Sequence, residues 1–130
     1  MNAGKLMNQQ KQNLMDLFST VNKYFSPKIV GEVNEVFIKI VKVKGQDVPW
    51  HTHQNEDEMF YVIKGCLNIE CKGSDIIQLD SGEFFVVSKG IEHRVYAEEE
   101  CWLMLIENKS TSHTGNVQSP ITKTIGQQYY

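Results

Sequence analysis

The chain is 130 residues long, with 41% hydrophobic residues, 22% charged residues and a formal net charge of −3. This is the size and balance of one globular domain, able to bury roughly two thirds of its unfolded surface. The acidic balance, with Arg94 the only arginine, argues against nucleic-acid binding, and no apolar run is long enough to span a bilayer.

Residues 1 to 12 are rich in Asn, Gln and Lys; they read as disordered and lack the apolar core of a signal peptide. Asn13 is a plausible N-cap, and Leu14, Leu17, Phe18, Val21 and Phe25 then recur at helical spacing until Pro27 ends the segment. The spacing predicts a short N-terminal helix packed on the rest of the fold. Strand patterns follow over 28–33, 36–43, 48–53, 58–63, 66–71, 75–79, 84–87, 91–96 and 101–106.

Turns separate them at Lys44-Gly45-Gln46-Asp47, Lys64-Gly65, Lys72-Gly73-Ser74-Asp75, Asp80-Ser81-Gly82 and Ser88-Lys89-Gly90. Many short strands with regular Gly-bearing turns predict an all-β sandwich or barrel, and no internal repeat divides it. The domain therefore spans 13–107. Residues 108–130 are polar and read as an extended C-terminal arm that frays toward its end. The strand at 36–43 is apolar on both faces, with Val36, Ile38 and Ile40 on one and Phe37, Val41 and Val43 on the other. Such a strand needs a second cover, either the N-terminal helix or another subunit.

Cys66, Cys71 and Cys101 are odd in number and form no C-x-x-C pair, so reduced structural thiols and a cytoplasmic location are expected. Asn108-Lys109-Ser110 matches a glycosylation sequon only by chance on that reading.

The chemistry concentrates in three of the four histidines and one glutamate. Gly45 is followed by five residues, His51-Thr52-His53, four residues, Glu58, six residues and Gly65. Gly82 is followed by seven residues, Gly90, two residues and His93. On a strand, His51 and His53 project to one side with Thr52 turned away. The polar stretch Gln54-Asn55-Glu56-Asp57 lets the chain double back and bring Glu58 to the pair, while His93 must arrive from a non-adjacent strand. Such a set can be a hydrogen-bonded polar cluster. As ligands, three imidazoles and a carboxylate suit a divalent Fe, Mn, Zn, Ni or Cu ion without naming it. One or two open coordination positions then mark a ligand-exchanging site.

Period-two alternation places Phe60, Val62, Val95, Leu67, Ile69 and Cys71 on the inner face, giving an apolar pocket around a polar centre. Gln54, Glu56, Asp57, Arg94, Tyr96 and Lys39 are candidates for supporting or rim roles, with plain surface positions the alternative, especially for Glu56 and Asp57. No catalytic acid or base is assigned.

These motifs resemble those of the cupin superfamily, G-x5-H-x-H-x3–4-E-x6-G and G-x5-P-x-G-x2-H-x3-N. The first is matched at every fixed position from Gly45 to Gly65. The second is matched at Gly82, Gly90 and His93, with Ser88 in place of Pro and Ala97 in place of Asn. The phrases Phe25-Ser26-Pro27-Lys28-Ile29-Val30 and Trp50-His51-Thr52-His53 are similar to those of small one-domain cupins labelled mannose-6-phosphate isomerase-like. The resemblance implies a jelly-roll barrel (a double-stranded β-helix), a metal at His51, His53, Glu58 and His93, and a homodimer. It implies three functions: a metal-dependent isomerase-type enzyme on a small sugar or sugar acid, an Fe(II)-dependent small-molecule dioxygenase, or a non-enzymatic metal- or metabolite-binding module.

Overall fold

The computed structural model describes residues 10–130. The expected disorder of residues 1 to 12 falls mostly on 1–9, outside the described residues. Helix α1 (Leu14–Ser19) starts at Asn13, whose Oδ1 accepts the Asp16 N–H at 3.0 Å. It is shorter than the apolar spacing predicts. Ser19 and Thr20 turn their hydroxyls back onto the Asp16 and Leu17 carbonyls, satisfying the free helix end and stopping propagation. Val21 and Phe25 are still buried, but from an irregular lead-in.

Seven strands follow: β1 (Lys28–Val33), β2 (Val36–Gly45), β3 (Glu58–Lys64), β4 (Cys66–Cys71), β5 (Ile77–Asp80), β6 (Phe84–Val87) and β7 (His93–Asn108). The order β1-β2-β7-β3-β6 forms the main antiparallel sheet, while β4 and β5 attach through the first half of β7. β7 is the hinge of the architecture. Its start pairs with β4 (Cys71 opposite His93), and from Cys101 onward it lies between β2 and β3. The two segments predicted at 91–96 and 101–106 are therefore one strand that passes from one sheet to the other.

The segment 48–53 is a second difference. It forms no strand, only an isolated bridge between His51 and His93. Pro49 offers no N–H for a ladder, so regular pairing stops there. The remaining strands fall where period-two alternation puts them, and Phe60, Val62, Leu67, Ile69, Cys71, Val95 and Leu103 share one buried core. α1 lies over the opposite face of the main sheet, with Phe18 stacked on Trp102 at 4.9 Å between ring centres and packed with Ile40. It supplies part of the second cover that β2 requires.

Residues 108–130 do not fray. They fold back as a strap of turns ending in helix α2 (Ile125–Gln128), with Thr111, Thr114 and Gln128 buried. Asn116 brackets Thr52, its Oδ1 accepting the Thr52 N–H at 2.9 Å and its own N–H donating to the Thr52 carbonyl at 3.2 Å. Gln128 accepts from the buried Lys39 ammonium at 2.5 Å and donates to the Lys123 carbonyl at 3.1 Å. Composition alone hides this, because the strap is held by polar groups and not by an apolar stripe. Gln128→Ala removes both bonds and should cost roughly 1–3 kcal/mol, read as a lower thermal midpoint. An unchanged midpoint would show that α2 does not hold the strap.

Candidate metal centre

His51, His53, Glu58 and His93 are all buried, and one donor atom from each lies within 4.8 Å of the others. Backbone pairing makes this geometry. The His51 N–H donates to the His93 carbonyl at 3.0 Å and the His93 N–H to the His51 carbonyl at 2.9 Å. The Gly90 N–H donates to the His53 carbonyl at 2.8 Å, so the glycine of the second motif clamps the histidines of the first. Asp57 accepts the Lys89 N–H at 2.9 Å and tethers the connection between them. Glu58 opens β3 on the inner face, opposite Glu107 of β7.

The hydrogen bonds select the ring nitrogens that face the centre. His51 Nδ1 lies 2.7 Å from the Pro49 carbonyl and His93 Nδ1 lies 2.9 Å from the Ile91 carbonyl. A carbonyl accepts only, so each Nδ1 carries the proton and each Nε2 is left as a lone-pair donor. His93 Nε2 is 3.3 Å and His53 Nε2 3.5 Å from Glu58 Oε1. Both nitrogens of the buried His53 ring lack a hydrogen-bond partner among the described residues. A buried imidazole with neither nitrogen satisfied is costly unless something else coordinates it. The donor set therefore fits a divalent cation.

Electrostatics point the same way. Burial pushes the His51 imidazole down to about 4, leaving it neutral and ligand-competent at pH 7. Burial alone would raise Glu58, but the adjacent His53 and His93 rings together with Glu107 hold the carboxyl well below its usual range. Burial would lower His93, but the Glu58 carboxylate and the Ile91 carbonyl together raise it. Both opposing pairs reflect one fact: a buried carboxylate is drawing positive charge toward itself.

Two residues join the site that sequence reasoning missed. Glu107 stands opposite Glu58 on the paired strand and accepts from Lys39 Nζ at 2.6 Å. Burial and the neighbouring Glu58 charge raise its carboxyl well above the usual range. The alternation of Cys101, Leu103 and Leu105 pointed inward one step short of it, so extending the pattern would have found it. His113, on the strap, lines the same cavity as His51 and Glu58. A lone histidine in a polar tail gave no local signal.

Of the candidate supporting residues, only Lys39 reaches the centre, through Glu107. Gln54 and Asp57 are exposed, and Glu56 accepts from the Ser110 hydroxyl at 3.0 Å. Arg94 pairs with Glu70 and lies over the Trp50 ring, 4.9 Å from its centre, while Tyr96 is half-buried on the face of β7 opposite Val95. The cavity beside the centre measures about 50 Å³ and is walled mainly by Val43, Phe60, Val95, Leu103 and Leu105. The three cysteines are free, and burial pushes the Cys101 thiol up to about 12, which makes it unreactive.

The comparisons with known proteins return the same fold. The cupin domain family model matches residues 38–107, and the chain belongs to that family. The crystal structure of a cupin-2 domain containing protein from Shewanella frigidimarina NCIMB 400 is 40% identical, with a TM-score of 0.73. The match covers 78% of this chain and 98% of that one. Protein NMB1881 from Neisseria meningitidis is 28% identical with a TM-score of 0.69, covering 76% and 99% of the two chains. YdbB of Bacillus subtilis (strain 168) is 26% identical over 98 residues, 75% of this chain and 86% of that protein.

The strap presses closely on the centre at Gly115, where φ is +58°. A Cβ there would collide with the Thr52 carbonyl oxygen and stand 2.9 Å from His51 Cδ2. Gly115→Ala should cost about 1–3 kcal/mol and lower metal retention by displacing His51. Gly73→Ala shares the positive φ but meets open space, so it should leave metal content unchanged. Equal metal retention in both variants would remove the strap from the site.

Proposed function

We propose that this cupin holds a divalent metal at His51, His53, Glu58 and His93 and acts as an isomerase-type enzyme on a small hydroxy-carbonyl compound of the sugar or sugar-acid class. The observation that carries the reading is the convergence of four buried donors, two of which, His51 and Glu58, line an otherwise largely apolar cavity. Bound there, a divalent ion supplies Lewis-acid polarisation of a substrate oxygen. The chain supplies the rest. The Pro49 and Ile91 carbonyls fix the ring orientations of His51 and His93. Glu107 and Lys39 hold the Glu58 carboxylate in place. Val95, Leu103 and Leu105 exclude bulk water, which strengthens every charge interaction inside. A cavity of about 50 Å³ favours the polar end of a compact substrate over a bulky one.

Elemental analysis of His51→Ala, His53→Ala and His93→Ala should show sharply reduced metal in a folded protein. Glu58→Gln should retain more, because an amide oxygen still donates. Glu107→Gln should weaken binding by roughly 10- to 100-fold, as loss of a supporting partner does. Turnover is read by NMR with metal-loaded protein, aldoses, ketoses and uronates. Full metal content in all three histidine variants would sink the site, and no conversion with any of several metals would sink the enzyme.

We also propose a homodimer through the outer face of the main sheet. Two cross-strand rows, Ile38-Ile106-Met59-Val86 and Ile40-Met104-Tyr61-Phe84, carry no charge and run to the edge strand β6. α1 covers Ile40, but Phe84 and Val86 are 60% and 42% exposed. An uncharged apolar patch at a sheet edge is self-complementary, which suits a second copy related by a two-fold axis. Sedimentation should give twice the 14.9 kDa chain mass, and Phe84→Glu should give a monomer with its metal intact. A monomeric parent would contradict the dimer. A reducing compartment suits the three free thiols, and we place the protein in the cytoplasm.

A further inference from the structure

The cavity has four polar side chains on its wall, His51, Glu58, His113 and Thr114; its other lining residues are apolar. His51 and Glu58 belong to the metal centre. Thr114 is spent on the strap itself, donating to the Val117 carbonyl and sharing a hydrogen bond with the Thr122 hydroxyl at 2.6 Å. That leaves His113.

His113 Nδ1 accepts the Lys123 N–H at 2.9 Å, so this nitrogen carries no proton. Burial pushes the imidazole down to about 4, which keeps the ring neutral. The single ring proton therefore sits on Nε2. Among the described residues nothing accepts it. The strap thus fixes the ring from behind and leaves one uncommitted side-chain donor on a cavity whose opposite polar wall is the metal centre. His113 is half-buried on a cavity walled mostly by apolar side chains, so its free N–H suits a guest that brings an acceptor.

We propose that His113 is the ligand-orienting residue of this site, its Nε2–H donating to a carboxylate or carbonyl oxygen of a small 2-hydroxy- or 2-oxo-acid group held at the metal centre. The inference rests on the metal reading above and adds which atoms recognise the guest. The guest must bring an acceptor, because a neutral imidazole N–H only donates, and a charged carboxylate oxygen is a stronger one than a hydroxyl. The cavity size limits the recognised end to a few heavy atoms. Val95, Leu103 and Leu105 face the carbon skeleton.

The test uses the full chain loaded with Co(II) and titrated with glycolate, followed through the visible cobalt spectrum. His113→Asn keeps an acceptor for the Lys123 N–H through Oδ1 but stops short of the cavity. It should bind cobalt in full and glycolate roughly 10- to 100-fold more weakly, as loss of a hydrogen bond to a charged group does. His113→Gln carries its amide N–H to the imidazole Nε2 position and should stay within about threefold of the parent. Glycolate affinity unchanged in His113→Asn overturns the proposal. Equal losses in both variants overturn it too, since they assign the effect to the strap and not to the donor. A parent that takes cobalt but shows no glycolate response overturns the ligand class. A parent that takes no cobalt overturns the metal reading itself.

Discussion

A carboxylate buried among three imidazoles governs the molecule. Glu58 is 5% exposed and still holds its charge, because His53 and His93 stand against it. Removing one partner from such a buried charge costs about 3–5 kcal/mol, so the ring positions are constrained as tightly as any core contact. Two of the rings are held by carbonyls at Nδ1, and the third, His53, is held only by its backbone clamp to Gly90. The centre is therefore preorganised by main-chain hydrogen bonds, which are stiffer than side-chain packing. That stiffness is what a cation with several fixed ligands requires.

The C-terminal strap carries the same constraint outward. Glu58 leans on Glu107, Glu107 on Lys39, and Lys39 on Gln128 of α2. The strap also brackets Thr52 between the two histidines and turns His113 onto the cavity. One 23-residue segment, 108–130, thus seals the barrel and completes the wall of its site. Its stability and the geometry of the centre are linked, since any shift of α2 leaves the buried Lys39 short of a partner.

What was legible in the sequence follows from physics of short range. Alternation with period two placed Phe60, Val62, Leu67, Ile69 and Val95 on the inner face, and Gly-bearing turns set the strand ends. The His-x-His spacing showed the two rings on one side even though Pro49 prevents the strand that was predicted to carry them. The apolar spacing after Asn13 identified buried residues but overstated the helix, because burial does not require helical backbone. The strap was illegible for a different reason. Its contacts at Asn116, Gln128 and His113 span from 10 to nearly 90 positions and are polar, so neither local pattern nor hydropathy registers them.

Register explains why so much of the site tolerates no slippage. On β3 and β7 the inner row holds Glu58 opposite Glu107, and the next row outward on the sheet holds Met59 opposite Ile106. Moving either strand by one residue would turn a carboxylate to the outer face and drive a large apolar chain into the buried histidine cluster. The same alternation that gathers charge inside leaves the outer rows through Ile38 and Ile40 uncharged. A single strand pairing therefore sets both the polarity of the buried centre and the apolar surface on the reverse side of the sheet. Any substitution that stabilised a shifted register would lose the two together.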